Sequence, residues 1–179
     1  MSPPLTIRLK RHSDGSASLS LTRADGTVTW QRQHGSLGYV FPPHDLTHYA
    51  IESALRDRRG FYGLIADGWD IADFASPWPR GPIPREAREV ELIVGFFDSE
   101  RRSGARWTAS DFNEHAEKYV AGRRHADSVT PPVLRDEDIA RVRAMRDDLL
   151  ARWSALAPGD ALELELETSK PDNPTLLGG

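Results

Sequence analysis

The sequence predicts an α+β fold, a four-stranded antiparallel sheet covered on one face by four or five helices. Three observations predict it. Both ends of the chain alternate apolar and polar residues with the period of a half-buried strand. The stretch between them carries helical spacing instead. The charges on the first and last alternating runs are opposite in sign.

Leu5, Ile7 and Leu9 alternate with Thr6, Arg8 and Lys10, and Ala17, Leu19 and Leu21 alternate with Ser18, Ser20 and Thr22. Residues 27–31 read as a third strand. Asp14-Gly15 and Asp25-Gly26 separate the three runs, and Asp-Gly between alternating runs is a hairpin signal, so the three form a meander. Near the other end Leu162, Leu164 and Leu166 alternate with Glu163, Glu165 and Glu167. Cross-strand pairs of opposite charge contribute about 0.2–1 kcal/mol each, which makes this strand the neighbour of the one carrying Arg8 and Lys10.

The middle supplies the cover. A first helix is expected over 43–58, stopped by Gly60, and a second over 61–74. The Pro-rich stretch 76–84 is incompatible with helix or central strand and reads as an extended connection. A third helix spans 86–101 with Val90, Ile93, Val94 and Phe97 inward, and a fourth, capped by Thr108 or Ser110, runs to Ala121. After Pro131-Pro132 a long helix runs from Asp136 to about Leu156, its apolar spacing interrupted by Arg146. No linker composition intervenes, so the reading is one domain over 1–168 followed by a loose tail, 169–179.

Composition narrows the function classes. The 179 residues are 39% hydrophobic and 28% charged, a globular balance. A net charge of −4 and a pI near 5.9 speak against a nucleic-acid surface. A mean hydropathy of −0.53, with no long apolar run, speaks against a membrane span. Without cysteine there is no disulfide framework, thiolate metal site or thiol nucleophile. The first residues lack the pattern of a secretory signal, so the expected location is cytoplasmic. No Gly-rich phosphate loop, dinucleotide fingerprint or Gly-x-Ser-x-Gly elbow is present.

One constellation carries chemistry. In His44-Asp45-Leu46-Thr47-His48, with Glu52 four residues further on, positions 44, 48 and 52 share one stripe of a helix. Imidazoles at i and i+4 can converge on one metal ion, and imidazole plus carboxylate suits zinc among divalent ions. The metal-ligand expectation is therefore His44, His48 and Glu52, with His34, Asp67, Asp70, Glu114 and His115 as further candidates. Asp45, Asp67 and Asp70 are the candidate bases that would activate a bound water. Asp67, Asp70 and Asp73 would share one face of a continuous second helix, a spacing that also describes its solvated stripe. The bland alternative gives Asp45 to the helix start and pairs Glu52 with Arg56.

Over five residues the motif resembles that of the zincin metalloproteases, His-Glu-x-x-His, with Asp45 in place of the family's Glu; no further zincin motif accompanies it, and the resemblance implies metal binding through His44 and His48 rather than proteolysis. Residues 41–49 and 66–74 also resemble segments of uncharacterised bacterial hypothetical proteins, which implies no activity.

Two functional readings follow. One is a metal-dependent, hydrolase-like enzyme acting on a small-molecule substrate. The other is a non-catalytic module that binds a protein partner through the 76–84 loop with Trp78 or through the long C-terminal helix. Homodimerisation through that helix fits either.

Overall fold

The computed structural model describes residues 4–122, 129–130 and 133–167. Pro131-Pro132 and the 169–179 tail lie outside these residues. The four strands are β1 (Leu5–Arg11), β2 (Ala17–Thr22), β3 (Val28–Gln33) and β4 (Ala161–Leu166), all antiparallel in the order β3-β2-β1-β4. The helices are α1 (Leu37–Ala54), α2 (Phe61–Ala66), α3 (Arg85–Ser103), α4 (Ala109–Ala121) and α5 (Asp136–Ala155), with a short 3-10 helix at Ile71–Phe74. The α+β class and the sheet are those the alternation predicts. None of the described helices is long and apolar enough to cross a membrane.

Register follows from the pleat. Leu5, Ile7 and Leu9 stand opposite Leu166, Leu164 and Leu162, and all six are buried. On the opposite face Arg8 pairs with Glu163 at 3.0 Å. Both of those side chains are well exposed, so the bridge aids register more than stability. The covered face is Leu or Ile on β1 and β4 and carries Leu19 and Leu21 on β2, but it is Thr29, Gln31 and Gln33 on β3. The core thus turns polar at one edge of the sheet.

Two helices depart from expectation. α1 begins at Leu37, before Pro42-Pro43, and ends at Ala54 rather than Arg58. Its opening turn closes with i→i−3 bonds from Leu37, Gly38 and Tyr39. This start crosses close to the first hairpin: a Cβ on Gly38 would sit 2.7 Å from the Gly15 carbonyl oxygen. The helix stops where Arg56 takes φ +52°. The expected helix over 61–74 is two pieces. Gly68 at φ +99° ends α2, and the Trp69 N–H returns to the Leu64 carbonyl. The break abolishes the common face on which Asp67, Asp70 and Asp73 would have lain.

The other helices keep their expected places. Thr108 caps α4, accepting from the Asp111 N–H while Asp111 accepts from the Thr108 N–H, a capping box. Arg146, which interrupts the apolar spacing of α5, is buried against α3: it approaches Glu100 at 3.6 Å and donates to the Phe97 carbonyl and to Asp147. Arg143, one turn earlier on α5, also pairs with buried Glu100.

Two glycines allow a contrasting test. A Cβ on Gly60 would lie 2.5 Å from the Glu52 carboxyl carbon, whereas one on Gly95, inside α3, meets nothing within 4 Å. Gly60→Ala is therefore expected to lower stability by about 1–3 kcal/mol, and Gly95→Ala to raise it by about 0.5–1 kcal/mol. Urea unfolding midpoints of the two variants check both signs.

Candidate functional site

α1 packs against the sheet, α3 and α5, and its buried face is not purely apolar. Leu46, Ala50 and Ile51 are fully buried, but so nearly are Asp45, Thr47, His48 and Glu52. β3 and α2 close over Asp45 and Glu52: Gln33 and the Tyr62 hydroxyl reach Asp45, and the Tyr62 and Gly63 N–H groups reach Glu52. Because α1 starts early, His44 falls two turns inside it, away from the positive end of the helix dipole that would oppose a cation there.

The two histidines stack edge to face, ring centroids 4.8 Å apart, and the Nε2 atoms of both approach one carboxylate on α3. His48 Nε2 is 2.9 Å from Glu91 Oε2, and His44 Nε2 is 3.7 Å from Glu91 Oε1. Behind each ring stands a second carboxylate. His44 Nδ1 is 2.8 Å from Asp98 Oδ2, and His48 Nδ1 is 3.4 Å from Glu52 Oε1. The latter is an ion-pair approach without hydrogen-bond geometry. Burial alone would depress the His48 pKa, but Glu52 and Glu91 outweigh it and hold the imidazole up at about 10. Burial would likewise raise Glu91 and Asp98, and the neighbouring imidazoles bring both below the usual carboxylate range.

Among the described residues, the group that could hold a metal ion is therefore His44, His48 and Glu91, whose ligand atoms lie within 4.8 Å of one another. Glu52 does not belong to it. Its oxygens accept from the Tyr62 and Gly63 N–H groups at 3.2 and 3.0 Å, so it holds the start of α2 and cannot turn toward the Nε2 atoms. Nor does Glu52 pair with Arg56. Ligands at about 2.0–2.2 Å from a tetrahedral ion stand roughly 3.3 Å apart; the 2.9 and 3.7 Å separations lie either side of that value but run to different Glu91 oxygens, and the set as a whole spans up to 4.8 Å.

The cluster opens into a pocket of about 420 Å³ between the β3 edge, α1, the 3-10 helix and α3. Phe41, Phe61, Phe74, Ile71 and Ile83 make its walls apolar. Ile83 brings the Pro/Trp connection into the wall, while Trp78 stays 44% exposed. Gln31 and Gln33 form the floor, and Gln31 is exposed on the covered face of the sheet because the pocket lies above it.

Asp45 also lines the pocket. Gln33 Nε2 donates to Asp45 Oδ2 at 3.0 Å. Burial raises the Asp45 pKa to about 6, against the lowering effects of Gln33 and the histidines. The other two candidate bases are elsewhere. Asp67 and Asp70 are exposed, and Asp70 pairs with Arg23 at 2.7 Å. His34, Glu114 and His115 are exposed and outside the cluster, His115 stacking on Trp107.

Sequence reading missed Glu91 and Asp98. Their signal is a spacing of seven beside the Val90, Ile93, Val94 and Phe97 stripe, which puts both carboxylates on one edge of α3 facing a helix with histidines four apart. The chain matches no family model, and no curated protein or solved structure matches it either.

Asp45 supplies a stability test. Its folded-state pKa of about 6 stands above the value near 3.9 of an unfolded chain. A raised carboxyl contributes stability below pH ~4 that is lost as pH rises through 6. Asp45→Asn keeps the shape and removes the titration. It is expected to be near neutral at pH 4 and to stabilise by about 1–3 kcal/mol at pH 8, as read by urea unfolding at the two pH values.

Proposed function

We propose that this chain is a divalent-metal-dependent enzyme, hydrolase-like, acting on a small molecule held in the pocket. The observation that carries the reading is the convergence of the His44 and His48 Nε2 atoms on Glu91 at a pocket wall, each imidazole backed at Nδ1 by a carboxylate. Carboxylates behind metal-bound imidazoles fix the tautomer and raise ligand basicity. Two imidazoles and one carboxylate are a ligand set of catalytic zinc, which leaves a coordination position for water or substrate.

When bound, such an ion lowers the pKa of a coordinated water towards ~7 and polarises a carbonyl or phosphoryl oxygen. The chain's own groups then have separate tasks. His44, His48 and Glu91 hold the ion, and Asp98 and Glu52 orient the imidazoles. Asp45, fixed by Gln33 and lining the same pocket, is the candidate general base. The apolar walls exclude water and seat the substrate. Asp67 and Asp70 have no part in this arrangement. The alternative, a protein-binding module, draws support from the exposure of Trp78 on the 76–84 loop.

The test is metal content. Untagged protein purified without chelator is expected to carry close to one zinc per chain, or to take it up on titration. His44→Ala, His48→Ala and Glu91→Ala should each lose it, and Asp70→Ala should keep it. Glu52→Gln should weaken uptake by about 10–100-fold through the loss of its support to His48. A parent protein that takes up no zinc, manganese or iron overturns the reading.

A further inference from the structure

The pocket also indicates what it takes. Its floor is set by β3, where Gln33 stands on the covered face of the sheet and is 2% exposed. A carboxylate can only accept, so the Gln33 amide turns its NH2 to Asp45 Oδ2. The other end of the amide, Oε1, is then a buried carbonyl oxygen with no hydrogen-bond partner among the described residues. Buried acceptors in folded proteins are rarely left so. This one belongs to a residue that lines a pocket whose walls include Phe41, Phe61, Phe74, Ile71 and Ile83, with Gln31 and Arg88 as polar lining outside the His44–His48–Glu91 cluster. A volume of about 420 Å³ is in the range of small-molecule sites, where apolar walls supply affinity and a few fixed polar groups supply orientation.

We propose that the pocket binds a small apolar molecule bearing one N–H or O–H donor, which Gln33 Oε1 accepts, with the molecule's polar head at the His44–His48–Glu91 cluster. The head-group placement rests on the metal reading; the apolar body and the donor do not. A site built to accept a hydrogen bond rejects an isostere that lacks the donor far more strongly than apolar walls discriminate a methylene.

The experiment uses three probes, benzamide, acetophenone and acetamide, titrated by protein-observed NMR into the full chain with and without added zinc. Acetophenone replaces the NH2 of benzamide with a methyl group of similar size, and acetamide lacks the ring. Benzamide is expected to bind at least tenfold more tightly than either. Gln33→Met should bring benzamide and acetophenone within about twofold of each other. The comparison of ligands on the parent protein carries the test even where Gln33→Met fails to fold. Equal binding of benzamide and acetophenone, equal binding of benzamide and acetamide, or no binding of benzamide overturns the proposal. Zinc uptake without the benzamide preference sinks this inference and leaves the metal reading standing. The preference without uptake of zinc, manganese or iron upholds this inference and sinks the metal reading.

Discussion

Everything around the site depends on the burial of α1. A helix packed against a sheet and two other helices must find partners for each polar group on its covered faces, because an unsatisfied buried group costs about 1–3 kcal/mol. Four polar or charged residues of α1 are in this position: Asp45, Thr47, His48 and Glu52. Their partners set the positions of the neighbouring elements. Glu52 holds the first N–H groups of α2. His48 reaches Glu91 on α3, His44 reaches Asp98 one heptad further along the same helix, and Thr47 lies 3.4 Å from Asp98. Asp45 takes the side-chain amide of β3 through Gln33, and its backbone carbonyl takes the Tyr62 hydroxyl. Remove the requirement and α2, α3 and the β3 edge lose the contacts that fix their distance from α1.

A buried ionic network of this kind is a poor way to gain stability. Desolvation of the charges offsets much of their attraction, and well-packed apolar residues in the same volume are often as stable or more so. The second buried ionic cluster sharpens the comparison. Glu100, Arg143 and Arg146 also tie α3 to another helix, but each guanidinium there also donates to a backbone carbonyl, and Glu100 accepts from the Trp107 N–H. That cluster closes on itself. Around His44 and His48 the carboxylates lie behind Nδ1, and the Nε2 atoms point to a single exposed carboxylate beside a pocket. One arrangement is closed off in the interior, and the other lines a pocket.

The sheet was legible because alternation has a fixed period and each face reads directly from residue type. Leu162 to Leu166 alternates as a half-buried strand, and its Glu163 meets Arg8 across the seam with β1. The helices of the site were less legible because their ends depend on single backbone conformations. Pro42-Pro43 reads as a start signal, yet the chain enters the helix before it, since Gly38 permits the approach to the first hairpin. A periodic run from Phe61 to Phe74 hides the turn at Gly68, and with it went the common face that had made Asp67 and Asp70 attractive. His44 and His48 were identified by spacing alone, because their convergence is local to one helix. Glu91 was not, because it comes from a helix 43 residues further on and only tertiary packing brings it there.

The edge strand explains why a pocket exists at all. A covered face lined by leucine on every strand would draw the helices down evenly across the sheet. On β3 that face is Thr29, Gln31 and Gln33, and apolar side chains gain nothing by packing on amide groups. The 3-10 helix meets the edge through the Thr29 hydroxyl, which accepts from the Ile71 N–H, and Gln33 is taken by Asp45. Between these two polar contacts Gln31 is left uncovered, and the aromatic walls of α1, α2 and the 3-10 helix stand around it. The same substitution of polar for apolar residues on one strand thus opens the cavity, fixes Asp45 beside the histidines and leaves the Gln33 carbonyl for whatever enters.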